Sequence, residues 1–258
     1  IFFADDPAFK GKPRELTAAD HAYSLKRLLD PAVKSPWLFL MEGKIVGGDE
    51  ARALAIKTGK FDYDAAMPGL EIVDRYTLRI RLKAADYNFA YLLAMPSTGA
   101  SAREVIETYG QDSGSHPVGT GPFQLLQSEY QRASKTVLVR NPSYRKRTWD
   151  WVSSAAEDQA LIKTMAGKAV PALDRIEIYP IEEGQAQWLA FLSGQHDYLP
   201  ILPASVSNVA KSEGRLKPEF AQQGIRLFPR MKPNVWYTMF NMTDPVTGGY
   251  TPEKIALR

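Results

Sequence analysis

The chain has 258 residues, of which 45% are apolar and 24% charged, ordinary values for one large or two moderate globular domains. Its 32 Lys and Arg against 29 Asp and Glu leave a net charge of +3, too little to argue for nucleic acid or an anionic membrane surface as partner. Cysteine is absent, which excludes a disulfide framework and a thiolate metal site, and no apolar run approaches the roughly 20 residues of a membrane helix.

Residues 1–16 read as loop, broken by Pro7, Gly11 and Pro13. Thr17-Ala18-Ala19-Asp20 is a capping-box-like start, and Ala18, Ala22, Leu25 and Leu29 follow at helical spacing until Asp30-Pro31. Trp37 to Met41 predicts a packed helix behind Pro36. Asp49 to Lys60 predicts another, with Leu54 as its main apolar contact and Gly59 as its stop. Glu71 to Lys83 is the clearest β signal. Leu78, Ile80 and Leu82 face one way, and Ile72-Val73 is expected to pair back across Asp74-Arg75. Short helices are expected over 88–94 and 101–109, stopped by Pro96 and Gly110.

The stretch from His116 to Tyr144 divides the chain. Gly119-Thr120-Gly121-Pro122 is a breaker cluster, expected to make a sharp turn into a hairpin of Phe123–Leu126 and Val137–Val139 that Asn141-Pro142 ends. Residues 145–169 are less regular and read as a surface insertion. Beyond them come a strand over 175–180 and a helix over 182–193 burying Trp188, Leu189 and Leu192, with Gly194 at its C-terminal cap. A short helix over 203–212, strands over 225–228 and 235–240, and a loop over 241–249 complete the pattern. The chain opens at Ile1-Phe2-Phe3 and stops soon after Thr251-Pro252-Glu253 starts a helix. Both ends are expected to be cut ends of a longer protein.

The run GTGPF, two strands, then RNPSY resembles the extracellular solute-binding proteins, family 5, of peptide and nickel ABC importers. The likeness recurs in LTAADHAYSLKRLLDP, in the hairpin over 71–83, in LDRIEIYPIEEGQAQWLAFLSGQHDYL and in WYTMFNMTDP. His21 departs from the family's small aliphatic residue, and the loop before it lacks the usual His-Asp-Gly. The resemblance implies an α/β, periplasmic binding protein-like fold of the cluster C type. Mixed sheets would carry flanking helices, and the first strand and the third domain would be missing. It assigns 1–117 to a smaller family-specific domain, 118–243 to part of the main ligand lobe and 244–258 to the start of a second lobe. It also implies a monomeric, periplasmic or lipid-anchored substrate-binding component that hands a peptide or other small solute to ABC permease subunits.

No chemistry of catalysis stands out. His21, His116 and His196 sit at no metal-ligand spacing, and no nucleophile elbow is present. Glu182-Glu183 fits a helix start. No catalytic residue, metal or cofactor is expected. A hydrolase built on His196 and Asp197, and a chemosensory receptor of the same fold, are the alternatives. Arg145-Lys146-Arg147 beside Trp149 and Trp151 offers a nucleic-acid stacking platform on one reading and a solvated insertion on another; the charge balance favours the second. A peptide-like solute needs partners for its main-chain groups, which strand edges supply, and aromatic walls. Trp236, Tyr237, Phe240 and Asn241 are the candidates for this at the last strand, with core packing as the competing role. Strand alternation means that Trp236 and Tyr237 cannot both face a cleft. Gly119, Thr120 and Gly121 either let a ligand approach the backbone or form a hinge turn.

Overall fold

Helix α1 (Ala18–Leu29) begins where the Asp20 carboxylate accepts from the Thr17 N–H at 2.7 Å and from its hydroxyl at 3.0 Å. This is one arm of a capping box. Its buried stripe carries Ala18, Ala22, Leu25 and Leu29, as the spacing predicts. The computed structural model describes residues 1–229, 235 and 237–258. The chain divides into two compact units, Ile1–Pro180 and Ile181–Arg258.

In the first unit, α1 packs with α2 (Gly48–Thr58), the hairpin β1 (Leu70–Asp74) and β2 (Thr77–Ile80), and α3 (Phe89–Leu93). Their shared core holds Leu25, Leu29, Met41, Ile45, Ala55, Met67, Leu70 and Phe89. Three expectations change here. The cluster after Pro36 is only a 3-10 turn, Leu38–Leu40. Leu54 is exposed and Ala55 takes the buried position of α2. The helix turns Ala55 inward and Leu54 outward, so the largest apolar side chain was a poor guide. The hairpin turn is Arg75-Tyr76, because Asp74 pairs with Thr77 after a register irregularity beyond Ile72.

Gly69 is the tightest point of this core. A Cβ there would lie 2.4 Å from the Val46 carbonyl oxygen and 2.6 Å from Ile45 Cγ2. The Gly69 N–H instead donates to that same oxygen at 2.8 Å.

Helix α4 (Arg103–Tyr109) packs Ala102 and Val105 against Phe3 and Phe9 of the N-terminal segment. Strand β3 (Phe123–Leu125) then pairs antiparallel with β4 (Thr136–Arg140). Residues 145–170 hold a small excursion: β5 (Arg147–Thr148), α5 (Gln159–Met165) and β6 (Ala169–Val170), with β5 and β6 paired to each other. Strand β7 (Arg175–Ile178) returns to the other side of β4 and completes the order β3-β4-β7. Val137 of β4 is fully buried.

The second unit is built on α6 (Gly184–Leu192), started by the Glu183 carboxylate, which accepts from the Ala186 N–H at 2.6 Å. Trp188 is its buried anchor, packed with Val206 and Ala210, but Leu189 is exposed, contrary to expectation. Helix α7 (Ser207–Ala210) leads into the two-residue strands β8 (Lys211–Ser212) and β9 (Arg215–Leu216), followed by α8 (Pro218–Ala221). Helix α9 (Pro252–Leu257) carries the expected Thr251 cap and proline. The strands expected over 225–228 and 235–240 do not form at their described positions. Extended segments become strands only beside a partner, and among the described residues none is paired with them.

Candidate functional site

The breaker cluster enters β3 without needing glycine's conformational freedom. Gly119 and Gly121 are absent from the left-handed region that other glycines of this chain occupy. A Cβ on either would meet nothing closer than 3.9 Å. The turn is held by its neighbours instead. The Gly119 carbonyl accepts from the Ala4 N–H at 2.8 Å, and the Gly121 carbonyl accepts from Asn141 Nδ2 at 2.8 Å. Asn141 also donates its N–H to Pro122 at 2.9 Å, which welds the turn to the end of β4. Thr120 is half-buried between these two anchors. In this conformation the turn is bonded at both ends.

The turn delivers a strand edge that no strand pairs with among the described residues. In the register Phe123 faces Arg140, Gln124 faces Val139 and Leu125 faces Leu138. Hydrogen bonds join Asn141 to Pro122 and Leu126 to Val137. Antiparallel pairs alternate between bonded and non-bonded positions. Phe123 and Leu125 thus turn their own N–H and C=O groups away from β4, and β3 is the outer strand of its sheet. An extended chain laid beside β3 would find those groups available.

A polar clamp, missed from sequence, secures the N-terminal segment beside this turn. The Asp6 carboxylate is 4% exposed and lies 2.8 Å from His116 Nε2. It also accepts from the Ala8 N–H at 2.8 Å and from the Tyr109 hydroxyl at 3.0 Å. Tyr109 and His116 stack with ring centroids 3.7 Å apart. Burial, then the bond to Asp6, pushes the Tyr109 hydroxyl above its usual range. Beside it, Arg14 bridges Asp20 at 2.6 Å and Glu104 at 2.8 Å. The bond to Arg14 holds Glu104 below the usual carboxylate range. These partners are separated by up to 110 residues in sequence, so no local pattern could show them. The Asp6 oxygens are already engaged by Ala8, Tyr109 and His116, and the cluster acts as a fastening.

The remaining expected residues lie in the second unit. Tyr237 is 74% and Phe240 45% exposed. Asn241 caps its own loop, its Oδ1 accepting from the Thr243 N–H at 3.1 Å and the Thr243 hydroxyl at 2.8 Å. Trp236 lies outside the described residues. His196 and Asp197 fall in an irregular loop and not on a strand. Among the described residues no group of three or more His, Asp or Glu could hold a metal ion, and no helix is long and apolar enough to cross a membrane.

Comparison with known proteins places this geometry. The profile of the bacterial extracellular solute-binding proteins, family 5 Middle, matches residues 3–249. The glutathione-binding protein GsiB of Salmonella choleraesuis is 28% identical over 170 residues, which cover 63% of this chain and 28% of that protein. The chain thus spans less than a third of that relative. Among solved structures, the murein tripeptide-binding protein MppA in its unliganded open form superposes with a TM-score of 0.56 and 25% identity, over 76% of this chain and 32% of its own. OppA of Burkholderia pseudomallei gives a TM-score of 0.54 at 22% identity, over 76% of this chain and 33% of its own, a likeness of fold. The mixed α/β architecture is that of periplasmic binding proteins, as the resemblance implied. This chain belongs to the bacterial extracellular solute-binding proteins, family 5.

Proposed function

We propose that the chain forms part of the substrate-binding component of an ABC importer, which captures a peptide or similar small solute between lobes and presents it to membrane permease subunits. Family membership over residues 3–249 carries this reading. The named relatives bind glutathione and a murein tripeptide, both short chains rich in main-chain amides. The outward edge of β3 suits that chemistry, since main-chain pairing grips a backbone whatever its side chains. In the second unit Tyr237 and Phe240 are solvent-facing and offer aromatic surface of the kind that suits a small organic solute.

On this reading Gly119, Thr120 and Gly121 are a fixed lip beside the binding edge, and 1–117, 118–243 and 244–258 belong to successive domains of the longer protein. The protein transforms nothing, needs no cofactor and works outside the cytoplasmic membrane, either free in the periplasm or lipid-anchored. Calorimetry with glutathione and with mixed di- and tripeptides tests the proposal on this chain and on a version extended to the relatives' length. Saturable binding by the extended protein, at least about tenfold weaker in the 258-residue chain, is expected. Turnover of those peptides, or no binding by the extended protein, overturns it.

A further inference from the structure

The excursion between β4 and β7 borders an open cleft of about 550 Å³ in the first unit. That is within the range of about 300–1,000 Å³ typical of small-molecule sites. Its lining includes Arg140, Arg145, Lys146 and Arg147 and contains no carboxylate. Two of the four cations have counter-charges. Arg140 meets Asp174 at 2.8 Å, and Arg147 reaches Asp150 only at 3.5 Å. Arg145 stacks its guanidinium 4.8 Å from the Tyr144 ring centroid. Among the described residues neither Arg145 nor Lys146 has a recorded carboxylate partner. A stacked guanidinium still presents its N–H edge for a fork of two hydrogen bonds.

The rest of the lining is apolar or aromatic. Tyr144, Val170 and Pro171 border the space. The lining therefore presents two exposed cations without a carboxylate partner among the described residues, beside an organic wall.

We infer that this cleft binds a phosphate monoester: a group of about two negative charges near neutral pH, whose organic part rests on Tyr144, Val170 and Pro171. A carboxylate would answer only one of the two free cations. Inorganic phosphate alone would leave most of the volume unfilled. The site lies within residues 140–171 and stands whether or not β3 receives a peptide.

Titration of the 258-residue chain with glycerol 3-phosphate at low ionic strength tests it, beside glycerol and vesicles containing phosphatidic acid. The expected result is saturable binding of glycerol 3-phosphate and none of glycerol. Affinity should fall about tenfold or more in the double variant Arg145→Gln with Lys146→Gln. It should stay unchanged in Lys57→Gln, which alters an exposed residue of α2. Affinity should also drop between pH 7.5 and 5.5, as the phosphate loses its second charge with a pKa of about 6. Vesicle binding without glycerol 3-phosphate binding, abolished by the same pair of substitutions, would name a lipid headgroup as the source of the same group. Should the double variant melt early, Lys146→Gln alone carries the test, because it removes no recorded contact. Absence of binding in both arms, or binding indifferent to these substitutions, overturns the inference.

Discussion

Two glycines show how residue type and residue role part company. Gly121 sits in a conspicuous motif, yet a Cβ there has nothing nearer than the Phe123 carbonyl at 3.9 Å. Gly69 sits in an ordinary Met-Pro-Gly sequence, yet a Cβ there would collide with backbone. Gly69→Ala is expected to cost about 1–3 kcal/mol and Gly121→Ala less than about 0.5 kcal/mol, read as shifts in urea midpoint. Equal effects would show that the close approach of Gly69 to Val46 is relieved by a backbone shift. Charges act at the same scale. Glu104 is held below its usual range by Arg14, so the folded form keeps its charge more readily than the unfolded form does. The stability that this supplies is fully present above the ordinary glutamate range and is lost as pH falls through the depressed folded value. Glu104→Gln should therefore unfold at lower urea than wild type at pH 7, with the gap closing as acid is added. The Glu104 side chain is 44% exposed, so solvent screening keeps the gap small.

Elements were legible where a local rule and a packing partner agreed. Helix α1 follows from its cap and its 3.6-residue stripe, and β2 from strict alternation. Helix α2 was found, but its buried contact was not, because Ala55 falls on the inward face and the larger Leu54 on the outward one. The hairpin turn was misplaced by one residue, since an irregularity at the end of β1 has no compositional mark. The segments over 225–228 and 237–240 carry β-type residues but no neighbouring strand among the described residues, and pairing is what makes a strand. Of the candidate site, the turn and the hairpin could be read in the residues. The Asp6–Tyr109–His116 fastening could not, because it unites distant positions. Among the described residues the excursion pairs β5 only with β6, while β4 pairs only with β3 and β7. Replacing 145–170 by a short Gly-Ser link should thus preserve cooperative unfolding of the β3-β4-β7 sheet, seen as a single transition in far-ultraviolet circular dichroism. A broad, uncooperative melt would show that the excursion supports the sheet.

For the whole molecule, the distribution of exposed apolar groups is informative. Phe228, Val235, Tyr237 and Met239 are each more than 70% exposed in the second unit. The proposed capture role gives such surfaces a purpose, as does the remaining length of the relatives, of which this chain covers under a third.

On the proposed capture role, the alternation along β3 also restricts which backbones are taken up. Only every second amide of an incoming backbone can pair with Phe123 and Leu125; the amides between them point elsewhere. N-methylation of a cargo molecule should therefore be felt with a period of two: excluded where the methyl group meets the strand, ignored one residue along. Such a filter rejects modified backbones by position while remaining blind to their side chains.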